Sequence, residues 1–262
     1  MEKKIIFFDI DGTLFHEQKH IIPESTIQAM KKAQDNGHLC VINTGRTLSI
    51  IENTLKEFPF DAYICGCGTY IEYHNKTIFH TELDEKLRKE IIQKVFECHV
   101  DAVLEGRHNV YFKENGFDNE VADFKQRYIN QGFPVHDYNQ DSVVVFDKLA
   151  VWYDSRSDID TFKQFLTPYF DIIQRADNFI EIVPIGYSKA SGIQMLADYL
   201  NISIDHTISI GDSTNDLPML TYTKESVAMG NSNPILFDKV TYITDDIDHD
   251  GIYNALKHFE II

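Results

Sequence analysis

No stretch of this 262-residue sequence approaches the roughly 20 consecutive apolar residues that a membrane-spanning helix needs. Its N-terminus runs directly into a strand pattern and lacks the layout of a secretory signal. Basic residues are scarce: 24 Lys and Arg stand against 41 Asp and Glu, a formal net charge of −17. A general nucleic-acid binder needs cationic surface to neutralise phosphates, so that class is excluded. A small phosphorylated ligand held by a local positive site is not. Cysteine is limited to Cys40, Cys65, Cys67 and Cys98. Cys65 and Cys67 would share a face if their segment is a strand. No C-x-x-C pair with a matching second pair or histidines is present, so a zinc site is not expected. These are read as reduced structural thiols, and the protein as cytoplasmic, with no nucleic-acid or membrane partner. There is one tryptophan, Trp152, no internal repeat and no low-complexity tract.

What is present is an ordinary core-forming composition, 43% hydrophobic and 25% charged. KKIIFFDI is an unbroken apolar run suited to a strand covered on both faces. PESTIQAMKKAQDNG then has Pro at its start, Ile27, Met30 and Ala33 at helical spacing, and Gly37 as a stop. HLCVINTGR reads as a second buried strand, TLSIIENTLKEF as a helix and AYICGCG as a third strand. TYIEYHNKTIFH reads as a hairpin turning at Asn75-Lys76. From residue 83 the texture changes. LDEKLRKEIIQKVFECH is a charged amphipathic helix, and VVVFDKLAVWYD and NFIEIVPI read as strands of a mixed sheet. YSKASGIQMLADYLN and HTISIGD then restore helix-strand alternation. The expectation is an α/β fold, a doubly wound (Rossmann-like) parallel sheet over 1–82 and 186–262. An α+β domain over 83–185 interrupts it, as an insert rather than a consecutive domain.

In an open parallel sheet, ligands bind outside the carboxyl ends of the strands. FFDIDGT, VINTGR and ISIGDSTND each end an apolar run in small polar residues. They set Asp9, Asp11, Thr44, Gly45, Arg46, Asp212, Asn215 and Asp216 along one rim. Any one of these is ordinarily a turn or cap residue; three strands ending alike is a pattern. Asp9 and Asp11 repel unless a hard cation sits among them, and Mg²⁺ takes one or two carboxylates plus substrate phosphate. Asp9 and Asp212 are the natural carboxylates. A cation would keep Asp9 ionised and able to act as a nucleophile. Asp11, in a partly closed site, is the candidate general acid.

The segment DIDGT at 9–13 resembles motif one of the haloacid dehalogenase superfamily, D-x-D-x-T followed by a hydrophobic residue. Thr44 matches its motif two, Lys189 in YSKASGI its motif three, and GDSTND at 211–216 its motif four. The order and the long interval before Lys189 resemble the Cof-type branch with a class IIB cap. The resemblance implies a phosphatase that hydrolyses small phosphomonoesters, sugar phosphates or similar metabolites, through an aspartyl-phosphate. It implies Asp9 as nucleophile and Asp11 as acid, then base. It implies phosphate contacts from the amide of Ile10, from Thr44, Gly45, Lys189 and Asn215. It implies Mg²⁺ held by Asp9, Asp212 and the main-chain carbonyl of Asp11. Asp216 is left between orienting metal waters and capping a helix, and Arg46 between phosphate and an acid on the rim.

CGCGTY departs from the family, whose third strand usually leads into Asn-Gly-Ala or similar. DDIDHDG at 245–251 imitates a calcium loop with Asp246 at position 1, but position 12 is Lys257, where a bidentate Glu is needed. Its acids are expected to cap the following helix. His16 is a loop residue near the rim. Two other activities share an aspartyl-phosphate: a phosphomutase, which returns the phosphoryl group to its substrate, and a phospho-receiver domain. A receiver is about half this length and carries its acceptor after the third strand, which here ends in Cys-Gly. Substrate identity, the cap residues that contact it and oligomeric state are not legible.

Overall fold

A computed structural model describes residues 2–16 and 18–262. The chain starts with β1 (Ile5–Phe8), all four residues fully buried, α1 (Glu24–Asp35) and β2 (Leu39–Asn43). α1 ends where Gly37 takes φ +89°. The expected helix TLSIIENTLKEF is not one helix. A 3₁₀ turn covers Leu48–Ile50, Glu52 is extended, and α2 is only Asn53–Lys56. The β-branched Thr47 and Ile51 are both extended, and Ile50 is buried among apolar side chains of the inserted segment.

β3 (Ala62–Cys65), a tight Gly66–Gly68 turn, β4 (Tyr70–Tyr73) and β5 (Lys76–His80) follow. The hairpin turns one residue earlier than expected. His74 and Asn75 take φ 45° and 61°, the paired left-handed geometry of a two-residue hairpin loop. Cys67, at φ 56° in the turn, does not continue the strand of Cys65.

The inserted segment contains α3 (Glu85–Glu97), β6 (Asp101–Glu105), β7 (Val110–Lys113), α4 (Asn119–Asn130), β8 (Val135–Tyr138), β9 (Lys148–Trp152), α5 (Ile159–Leu166), β10 (Phe170–Ala176) and β11 (Phe179–Pro184). Asp84 and Asp118 accept hydrogen bonds from the first amides of α3 and α4. The run VVVF, expected as the start of β9, is irregular chain; only Phe146 of these four residues is fully buried, while Val143 and Val145 are exposed. The chain returns with α6 (Lys189–Leu200), β12 (Thr207–Gly211), α7 (Leu217–Leu220), β13 (Glu225–Ala228), β14 (Tyr242–Ile243) and α8 (Gly251–His258).

Two compact units result: Met1–Gly45, Glu52–Phe79 and Tyr187–Ile262 form one; Arg46–Ile51 and His80–Gly186 form the other. The first is built on an eight-stranded sheet, β14-β13-β12-β1-β2-β3-β4-β5. Its strands run parallel from β14 through β3, and β4 turns back antiparallel. The second has the order β10-β11-β9-β6-β7-β8, antiparallel except for β7 with β8. Its strands alternate in period two. Ala102, Leu104, Leu149 and Val151 face α3 and α5, whereas Val103, Ala150 and Trp152 face the side of α4. Among the described residues, no helix is long and apolar enough to cross a membrane.

Candidate active site

The carboxyl end of β1 delivers Asp9, whose amide extends the parallel ladder to the Ile210 carbonyl at 3.0 Å. The chain then turns sharply: the amides of Thr13 and Phe15 both donate to the Ile10 carbonyl. Gly12 makes the turn possible. Its φ is +76°, and a Cβ there would lie 2.5 Å from Asp212 Oδ2. Asp212 leaves the end of the neighbouring β12, and Thr13 Oγ1 donates to its Oδ1 at 2.9 Å.

Asp216 completes the cluster. Its Oδ2 accepts the amides of Asp212 and Ser213 at 3.0 Å each, and its Oδ1 accepts Lys189 Nζ at 2.6 Å. It thus caps the turn after β12 and also holds the lysine. Lys189 is the first residue of α6 and is buried; its Nζ also donates to Asp9 Oδ1 at 2.5 Å. The start of α6 is fixed by a reciprocal Ser188–Ser191 capping box and by Asn43 Nδ2, which donates to the Lys189 carbonyl at 3.0 Å.

The Gly66–Gly68 turn explains the CGCG segment. A Cβ on Gly68 would lie 2.7 Å from the Ser188 carbonyl oxygen, and one on Gly192 would lie 2.4 Å from Ile64 Cγ2. Both glycines are needed for the turn and the first turn of α6 to approach this closely. The Cys67 amide also donates to the Thr44 carbonyl at 3.1 Å, so one loop steadies both Thr44 and the helix that carries Lys189.

The rim therefore gathers Asp9, Asp212, Asp216 and Lys189. One carboxylate oxygen from each of the three aspartates lies within 4.8 Å of the others. Asp216 is the third member of this side-chain triad; Asp11 is expected to take part through its main-chain carbonyl, which is not one of these carboxylate oxygens. Asp11 is half-buried just beyond Asp9, and its charge raises the pKa of both Asp9 and Asp212. Thr44 is buried at the end of β2, with its amide donating to the Ile64 carbonyl. Gly45 follows it, Ile10 is fully buried, and Asn215 Oδ1 accepts Ser213 Oγ at 2.5 Å. Arg46 belongs to the second unit, where Nη1 donates to the Ile50 carbonyl and its charge lowers the pKa of Glu105.

Two expectations about the flanks change. His16 is paired with Asp248 at 3.3 Å, and Lys19 also binds that carboxylate. Asp250, at the start of α8, is left-handed at φ 61° and makes no side-chain cap. The acids of DDIDHDG bind locally instead: Asp246 accepts from His249 and from the Asp248 amide, and Asp245 from Asn254. Thr13 is the threonine of motif one, whereas Asn43 and Asn231, whose Nδ2 donates to the Gly12 carbonyl at 2.8 Å, have no sequence signal beyond lying near the motifs.

The electrostatics favour a cation. Burial, and then the charge of Asp216, push Asp9 well above the usual carboxylate range despite Lys189. Burial and Asp216 push Asp212 up to about 7, against the hydrogen bond from Thr13. Burial alone would lower Lys189, but Asp216 and Asp9 outweigh it and raise it, so it stays protonated. Three carboxylates against one ammonium leave negative charge unbalanced, and an all-oxygen donor set suits Mg²⁺.

Residues 6–256 match the family model described as haloacid dehalogenase-like hydrolase. A Bacillus subtilis (strain 168) protein designated a candidate phosphatase, YkrA, is 29% identical over the full length of both chains. The 5-amino-6-(5-phospho-D-ribitylamino)uracil phosphatase YcsE of the same organism is 24% identical, over 98% of this chain and 95% of its own. Among solved structures, the subclass IIB sugar phosphatase BT4131 superposes with a TM-score of 0.83 at 28% identity, covering 99% of this chain and 100% of its own.

Proposed function

The chain belongs to the haloacid dehalogenase-like hydrolases, and from that premise we propose that it is a Mg²⁺-dependent phosphatase of small phosphorylated metabolites. Asp9 attacks phosphorus in line, forming a bond from its carboxylate oxygen as the bond to the leaving oxygen breaks. Asp11 donates a proton to that oxygen and releases an alcohol. Asp11 then takes a proton from water as the water attacks phosphorus, and the Asp9–phosphorus bond breaks to free inorganic phosphate. Thr44, the Gly45 and Ile10 amides and Asn215 are assigned to the phosphoryl oxygens. Lys189 lowers the Asp9 pKa against its burial, orients that carboxylate and presents positive charge where the phosphoryl oxygens gain negative charge. Asp9 and Asp212 would hold Mg²⁺ with the Asp11 carbonyl. Bound there, the ion supplies charge neutralisation that lysine alone does not complete. Asp216 acts through others, holding Lys189 and the turn that carries Asp212.

One observation carries this reading: the buried carboxylate of Asp9 lies 2.5 Å from a buried ammonium and within 4.8 Å of two further carboxylates from the turn after the neighbouring β12. The related proteins act on a sugar phosphate or on a phosphoribityl aminouracil, so a phosphomonoester of a small polyol or heterocycle is the substrate class assigned. The second unit, residues 80–186 with 46–51, is assigned as the cap that selects it. The four buried thiols suit the reducing cytoplasm. Phosphate release from a panel of such esters, with Mg²⁺ and with chelator, is the test. Asp9→Asn should abolish release while leaving the circular dichroism spectrum unchanged; substantial residual turnover refutes the assignment.

A further inference from the structure

The α4 side of the second sheet borders a half-open cavity of about 230 Å³, lined by residues of that unit. One wall is aromatic: Phe112, Phe124, Tyr128, Trp152 and Phe179, with the last two stacked at 4.2 Å and 14°. The other wall is charged. Glu181 accepts Arg175 through Nε at 2.9 Å and Nη2 at 2.6 Å, and its second oxygen binds Lys148. Lys148 in turn faces Glu105 Oε2 at 3.5 Å. Glu105 is more than nine-tenths buried, and this Oε2 accepts no hydrogen bond.

A fold gains little from burying such a network beside an apolar sheet face, where well-packed hydrocarbon serves as well. A mostly apolar cavity with a few converging polar groups is the form of a small-molecule site. The chemistry of the two walls narrows the ligand. Space well above the roughly 150 Å³ that takes a benzene ring admits one substituted ring or a compact fused pair. With five aromatic side chains and two aliphatic ones in the lining, a polyhydroxylated sugar would bury some hydroxyls without partners. A flat ring fits against them, with polar groups at its edge only. The charged wall offers both kinds of partner, a carboxylate acceptor at Glu181 and cationic donors at Lys148 and Arg175.

We propose that this cavity binds a planar nitrogen heterocycle presenting N–H donors and carbonyl acceptors along one edge. The inference goes beyond the phosphatase reading and concerns the second unit by itself. It is therefore tested without phosphate. Trp152 is the sole tryptophan, so its fluorescence reports the cavity, with titration calorimetry as a second measure. The full-length protein is titrated with 5,6-diaminouracil and, separately, with glucose and ribitol. Saturable binding of diaminouracil and none of either polyol is expected. Phe124→Ala should weaken it about tenfold, the upper range for an aromatic contact, and Arg175→Gln should weaken it as well, each variant being checked by thermal melting. Polyol binding as tight as that of the heterocycle, no saturable heterocycle signal in either measurement, or unchanged affinity in both folded variants overturns the proposal. Heterocycle binding with no hydrolysis of any phosphoester would instead overturn the phosphatase reading and leave the site standing.

Discussion

Asp212 should make the metal-free protein less stable as pH rises. Its carboxyl is raised from 3.8 to about 7 by burial and by Asp216. Between these values the unfolded chain has lost the proton that the folded chain still binds. Stability from this group is therefore present below about pH 4, falls through the window up to 7 and is flat above it. At about 1.4 kcal/mol per pH unit, a window of roughly three units corresponds to about 4 kcal/mol at pH 8. Asp212→Asn removes the titration and can keep the hydrogen bond from Thr13. The variant should therefore be inactive yet more stable than the parent, by up to about 4 kcal/mol at pH 8 in chelator, with the difference shrinking toward pH 4. Urea unfolding at pH 4, 6 and 8 measures it. Saturating Mg²⁺ should stabilise the parent by mass action and the variant much less. A parent–variant difference independent of pH, or equal stabilisation of both by Mg²⁺, would refute the reasoning.

Gly68→Ala should cost about 1–3 kcal/mol, because it puts a Cβ on a backbone at φ +91° and 2.7 Å from the Ser188 oxygen. Thermal melting reads that cost, and a fall in kcat larger than the rise in KM would tie it to Lys189. Thr13→Val removes a hydrogen bond that lowers the Asp212 pKa, so Asp212 should protonate at higher pH. The acidic limb of the pH–rate profile at limiting Mg²⁺ should move up, and an unmoved limb counts against Asp212 as a metal ligand. Chelator should remove phosphatase activity and Mg²⁺ should restore it. Ca²⁺, with its longer bonds and looser coordination, should restore much less, and Ca²⁺ as effective as Mg²⁺ would speak against a compact oxygen site.

The site residues on β1 and β12 were legible because their signal is local: an apolar run, then acids and glycine at a strand end. The same holds for the helix starting at Lys189, whose Ser188 cap is adjacent in sequence. What could not be read depends on distant chain. Gly68 matters because Ser188 and Gly192 lie against it. Asp216 could not be resolved between its two readings because its carboxylate has partners at both ranges, amides three and four residues back and a lysine 27 residues away. TLSIIENTLKEF has helical spacing, but Ile50 is drawn into another core, and tertiary burial overrides a weak propensity. The aromatic and charged walls of the second unit are spread over six elements and carry no spacing to detect.

Asp216 gives the site a hub. A single carboxylate fixes the peptide groups leading out of β12 with one oxygen and the ammonium beside Asp9 with the other. Asp216 thus joins the Lys189 side chain to the backbone at 212, and loss of Asp216 is transmitted to both. Replacing Lys189 and Asp216 together should therefore do little more harm than replacing one of them, since the first loss has already dismantled the contact the second would remove.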